Sequence, residues 1–305
     1  MDATTHEPIA VTEAAVTEQK LSPWRRAGEI QRSARAVLGG HSGGISHRLL
    51  LTLSVITVLT VSIALYTAVA CLATAGYLVF GEDALWVDVV SNILLVALGL
   101  TLALPLVVSV GRLASLMAAP DGEVLRGMAV SVPTPALTEL FYPFTSLRAY
   151  GRTMAVGMEG LAFLLCGIGV PILAGRLVWL SIQTAGMAPW LRALIMTGMV
   201  LLGIGWGFGI LLLSGWRMGF GYFVFVHREL SLGDANRYFR AHNRPLIPVL
   251  CLRLRLLGLY ALSVPGICVP LVFHSIPFGL CSSAVFGRDL TERWPTASPY
   301  SEYSS

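Results

Sequence analysis

The sequence predicts an all-α protein: a polytopic membrane helix bundle of about six transmembrane helices with cytoplasmic amphipathic helices. Three observations predict it, namely an excess of apolar residues, apolar runs of membrane length, and a one-sided placement of arginine. Of the 305 residues, 55% are hydrophobic and only 12% charged, against roughly 25% charged in a soluble domain. A soluble domain of this length needs a charged exterior, so a mean hydropathy of +0.72 calls for lipid as the outer solvent. The net charge of +4 is too small to point to nucleic acid, and none is expected as a partner.

Residues 1–21 are polar and small, with neither a basic start nor an apolar run, and read as a disordered cytoplasmic tail rather than a signal peptide. Residues 22–290 read as one membrane domain. It begins with SPWRRAGEIQRSARAVL, where Ser22 is a candidate N-cap and Pro23 sits at the first helical position. A hydrocarbon core about 30 Å thick needs about 20 apolar residues. That length marks spans at about 49–76, 87–111 (kinked at Pro105 and ended by Arg112), 154–182 and 190–215.

The last apolar region, Leu246 to Phe286, is 41 residues long, about 60 Å as a single helix. Pro265, Gly266 and Pro270 interrupt it, giving a hairpin of two spans, 246–264 and 267–286, with Pro277 kinking the second. Residues 291–305 read as a cytoplasmic tail.

Cytoplasmic flanks carry the excess of arginine and lysine. Placing the N-terminus, the 2–3 loop, the 4–5 loop and the C-terminus inside puts six, four, five and two basic residues there, seventeen of the 21, and leaves only Arg192 outside. Both termini are therefore expected in the cytoplasm of a cell with this chain in its plasma membrane. The inner segments SPWRRAGEIQRSARAVL, LTELFYPFTSLRAYGRT and SLGDANRYFRAHNR mix arginine with large apolar residues. They read as amphipathic helices on the inner leaflet, suited to anionic lipid.

Ionisable groups within spans are costly and are the first suspects for function. Glu159 in span three and Arg253 and Arg255 in span five lie at similar depths, which makes an intramembrane Glu159–Arg253 or Glu159–Arg255 pair the sharpest candidate. Two residues apart on a helix point about 200° from each other, so only one of the arginines can face Glu159. Gly203, Gly205, Gly207 and Gly209 in span four repeat the GxxxG spacing that lets helix backbones approach. The five cysteines (Cys71, Cys166, Cys251, Cys268, Cys281) stand singly in apolar stretches and read as buried thiols. His274 reads as a helix-to-helix hydrogen bond. No HExxH or nucleophile–base set occurs, so no catalytic residue, metal site or cofactor is expected.

Three segments, RAGEIQRSARAVLGG, HRELSLGDANRYFRAHNRPL and AVFGRDL, together resemble the bacterial integral-membrane family catalogued as domain of unknown function 975. The resemblance spans most of residues 24–290. It implies a topology of basic helices ahead of membrane hairpins and no stated activity. This chain has Phe286-Gly287 where the family has a Phe-Tyr pair, and an arginine-bearing CLRLRLL in place of a more acidic or neutral stretch. The expected function is non-enzymatic: a scaffold or assembly factor working through helix and lipid contacts, with the bilayer, a membrane-protein partner or a second copy as partners. The alternative is a transporter or permease for a small or amphiphilic substrate.

Overall fold

The computed structural model describes residues 22–81, 84–119, 124–125, 128–129, 134–184, 186–213, 221–222, 224–226, 232–233, 246–263 and 270–292. Nine helices are named here: α1 (Pro23–Gly39), α2 (His47–Phe80), α3 (Leu85–Leu98), α4 (Leu104–Ala118), α5 (Leu147–Leu164), α6 (Val170–Thr184), α7 (Pro189–Leu213), α8 (Leu246–Ser263) and α9 (Ile276–Glu292). Two short hairpins join them, β1 (His41–Ser42) with β2 (Ile45–Ser46) and β3 (Val124–Leu125) with β4 (Met128–Ala129), both antiparallel. The first turns on Gly43 and Gly44 at φ 57° and 83°, a left-handed pair that a side chain would strain.

Among the described residues, four helical stretches are long and apolar enough to cross a membrane: His47–Phe80, Leu85–Ala118, Leu147–Gln183 and Pro189–Gly207. They coincide with the first four expected spans, but the second does not end at Arg112. It runs on to Ala118, because Arg112 is covered by protein instead of marking a water boundary. α8 and α9 are separate helices folded back on each other. Ser263 hydrogen-bonds Ser275 through their hydroxyls, and Tyr260 lies against Gly279. Pro270 leads into the second arm, while Pro265 and Gly266 lie outside the described residues.

Three times among the described residues the chain inserts a π-turn ending two residues before a proline: Gly99–Ala103 before Pro105, Leu165–Gly169 before Pro171, and Leu271–Ser275 before Pro277. Proline has no N–H, so carbonyls four and five residues earlier lose their helical donor. In each case a side chain from another helix takes one of them. Tyr150 Oη donates to Thr101 O at 3.1 Å, Trp206 Nε1 to Cys166 O at 2.7 Å, and Arg48 Nε to Phe273 O at 3.2 Å. A backbone carbonyl left bare in hydrocarbon would cost several kcal/mol, so the breaks are also the places where helices are tied together.

The core gathers at one end. α1 buries Ala27, Ile30, Ala34 and Leu38, spaced three and four apart, against α8 and α9. Leu50, Leu51, Val55 and Val58 of α2, Leu113 and Met117 of α4, and Phe278 and Phe286 of α9 complete it. Ser22 caps α1 by accepting from Arg25 N at 3.4 Å, with Pro23 following as expected. The apolar face of α1 thus lies on protein. LTELFYPFTSLRAYGRT is not one helix either: a 3-10 stretch, Leu137–Thr145, holding Pro143, stops at Ser146, which caps α5 by accepting from Ala149 N at 3.1 Å. Most of SLGDANRYFRAHNR lies outside the described residues.

Candidate functional site

Between α1 and α8 lies a cavity of about 570 Å³ whose walls carry Arg25, Arg32 and Arg35 from α1 and Arg255 from α8, with Gln31 and Glu29. On α1 these positions share one side because residues three, four and seven apart stack along a helix. The opposite side is the buried Ala27–Leu38 stripe, so the same amphipathic pattern that anchors the helix turns its arginines into the groove. Arg255 forms the floor. Its guanidinium sits 4.3 Å from the centre of the Trp24 ring and its Nη1 donates to Gln31 Oε1 at 3.4 Å. Gly28 permits this crossing, since a Cβ there would stand 2.9 Å from Arg255 Nη1. Four arginines face one carboxylate, and that carboxylate, Glu29, only approaches Arg32 at 4.0 Å in an exposed pair, a geometry of little energetic weight.

The rest of the core end is tied by guanidinium contacts. Arg26 grips Asp289 through Nε at 3.0 Å and through Nη2, joining α1 to α9. Arg288 Nη1 donates to Ala118 O at 2.8 Å, and Arg48 Nη2 meets His274 Nδ1 at 3.2 Å. His274 is thus the helix-to-helix contact its sequence position suggests. Arg112 is 1% exposed; its Nη2 lies 2.5 Å from Glu139 Oε2 and its guanidinium 3.3 Å from the centre of the Tyr142 ring. Arg152, 7% exposed, donates through Nη2 to Val224 O at 3.2 Å. No family model, curated protein or solved structure matches this chain. What the site can do is read from its geometry.

The sequence-derived candidates are distributed differently from expectation. Arg255 turns to Trp24 and Gln31, Arg253 lies beside Tyr260, and among the described residues no ion pair joins either to Glu159. Glu159 is on α5, which packs on α4 through Gly157, where a Cβ would sit 3.0 Å from Leu104 and Val108. Two residues further on, Glu159 points to another side of the helix. Of the span-four glycines, a Cβ added at Gly203 would lie 3.5 Å from Pro171, while added Cβ atoms at Gly205, Gly207 and Gly209 meet nothing within 4 Å among the described residues. α7 meets the π-turn ahead of α6 through Trp206 and through the fit of Ile210 to Gly167.

Cys281 is buried and Cys251 half-buried, but Cys71 and Cys166 are exposed on the apolar exterior; Cys268 lies outside the described residues. No metal-holding group of His, Cys, Asp and Glu occurs among the described residues. Arg112, expected at a span end, and Arg152, expected on an amphipathic helix at the inner leaflet, are both enclosed by protein. The sequence signal for an enclosed Arg112 is the apolar LASLMAA that continues after it.

Proposed function

We propose that this chain is a non-enzymatic scaffold or assembly factor of a cell membrane, with six spans and both termini cytoplasmic, acting through helix and lipid contacts. The observation that carries the reading is the division of the molecule: a polar, arginine-tied core end and an opposite part whose apolar side chains have no protein cover. None of the most apolar stretch of α5–α6 or of α7 is buried, and Leu173, Leu194, Val200, Leu201 and Ile204 are all more than half exposed. A lipid-facing surface of that extent, with small residues at Gly205 and Gly209, offers other helices a place to pack. In this proposal the hairpin of α8 and α9 stands for spans five and six, and the orientation rests on the arginine count in the sequence.

The transporter reading draws on the broken helices, because unwound carbonyls serve transporters as ion ligands. Here Tyr150, Trp206 and Arg48 already occupy carbonyls at the three breaks, which favours a fixed bundle. The test is photo-crosslinking in native membranes from reactive residues placed at Leu201 and Ile204 on α7, with Ile63 on α2 as comparison. The scaffold reading expects a protein adduct of defined mass from α7; lipid adducts alone from every position sink it.

A further inference from the structure

The groove between α1 and α8 has a property that membrane anchoring does not require. Arginines that only anchor a helix at an interface spread toward water, with their stems on apolar surface. Here Arg25, Arg32 and Arg35 border a cavity whose floor is a fourth arginine from a distant part of the chain. Arg255 is held on two sides, by the Trp24 ring and by Gln31, while its Nε is buried with no hydrogen-bond partner among the described residues. Arg25 and Arg35 take part in no ion pair among the described residues, and Arg35 stacks only distantly on Phe278, at 5.7 Å. Like charges gathered this closely repel one another, so the arrangement is costly when empty and favours a multivalent anion.

We infer that this groove binds a phosphate group, either on the head group of an anionic lipid or free in solution. Guanidinium forks match the paired oxygens of phosphate in geometry and charge, and they keep their charge at any physiological pH. A space of about 570 Å³ falls within the range of small-molecule sites, roughly 300–1,000 Å³, and exceeds what a bare phosphate fills. It leaves room for the glycerol or alcohol part of a head group. Half-exposed Trp24, stacked against Arg255, is the residue type enriched where head groups meet acyl chains. Glu29 is the one acidic wall; it would turn away a second phosphate on its side and accept from a hydroxyl-bearing neighbour. The inference deepens the lipid-contact part of the proposed function and rests on the chain being in a membrane.

The experiment uses the full-length protein in nanodiscs of phosphatidylcholine, to which phosphatidylglycerol or inorganic phosphate is added, with thermal unfolding and lipid retention on native mass spectrometry as readouts. Phosphatidylglycerol is expected to raise the unfolding temperature and to remain bound on the wild-type protein. The doubly substituted R25Q/R32Q protein, altered only at exposed side chains, should lose at least about tenfold in affinity. R255Q should do the same if it folds, and R148Q, an exposed arginine outside the groove, should bind as wild type. A shift produced by inorganic phosphate in neutral discs, and abolished in R25Q/R32Q, assigns the site to a soluble phosphate; a shift confined to phosphatidylglycerol assigns it to lipid. Wild-type binding by R25Q/R32Q, or equal loss in R148Q, overturns the inference. So does no response to either phosphate source. The crosslinks from α7 do not involve the groove, so their absence would remove the scaffold role and leave the binding site standing.

Discussion

α4 and α7 teach opposite lessons about what an apolar helix is for. α4 carries two serines, an arginine and a glycine in fifteen residues, and eleven of the fifteen are buried. α7 has glycines, leucines and isoleucines, no charge after Arg192, and an apolar stretch with nothing buried. The more polar helix is the more deeply enclosed. In a water-soluble protein that order would be reversed; with lipid as the solvent, polar residues mark the side that faces protein: Arg112 finds Glu139 and Tyr142 there, while Ser109 and Ser115 donate to carbonyls of their own helix.

The largest effect should come from the enclosed charge. Removing Glu139 leaves Arg112 in its cover of protein without that carboxylate, and breaking a buried pair costs about 3–5 kcal/mol. Glu139→Ala is expected to lower unfolding free energy, measured by denaturant titration in mixed micelles, by about that much. The double change Arg112→Met with Glu139→Leu should regain most of it. If Glu139→Ala unfolds like wild type, the core end is not held by its ion pair, and the contrast between α4 and α7 reduces to packing.

The next test sets the two helices side by side. Leu113 in α4 is 0% exposed and Leu201 in α7 is 64% exposed. Truncating a leucine in a packed core costs about 2–5 kcal/mol, whereas truncating one whose neighbour is lipid exchanges one apolar contact for another. Leu113→Ala should therefore destabilise by at least about 2 kcal/mol, and Leu201→Ala by less than about 0.5 kcal/mol. Equal losses would mean that the exposed face of α7 is covered by another copy in the membrane.

Much of this contrast was legible in the sequence, and the illegible part has a common cause. Apolar length found α2, the α3–α4 stretch, the α5–α6 stretch and α7, with ends off by up to about seven residues, since a hydrophobic run of membrane length has few other uses. Ser22 and Pro23 located the start of α1 because capping is local chemistry. What sequence could not supply was the partner across the fold. Arg255 was read against Glu159 because both seemed to lie within spans, yet a residue more than two hundred positions away on α1 receives it. Arg112 was read as a boundary because Glu139 and Tyr142, which cover it, lie beyond an intervening hairpin.

Glycines give a smaller and sharper version of the same contrast. A Cβ on Gly279 would overlap the Tyr260 hydroxyl, whereas one on Gly205 meets nothing within 4 Å among the described residues. Gly279→Ala must push Tyr260 aside and should cost about 1–3 kcal/mol, as overpacking does. Gly205→Ala adds helix propensity of up to about 1 kcal/mol without a clash, so it should be neutral or stabilising by the same denaturant titration. Destabilisation at Gly205 would reveal a helix packed there in the membrane, which is the partner contact a scaffold needs.

The smallest expected effect decides why the proline breaks are tolerated. Tyr150→Phe removes the hydroxyl that satisfies Thr101 O and nothing else, and interhelical hydrogen bonds in membranes average about 0.6 kcal/mol. If Pro105 is what frees that carbonyl, Pro105→Ala returns an N–H to the helix, and Tyr150→Phe in that background should cost nearly nothing. The coupling between the two changes is then the measured quantity. A coupling near zero would show that the π-turn, rather than the proline, leaves the carbonyl open, and that the helix would keep its bulge with alanine in place. Trp206→Phe with Pro171→Ala repeats the cycle on the lipid-exposed side. There no protein encloses the break, so the same bond should carry a larger share of the stability of its helix pair.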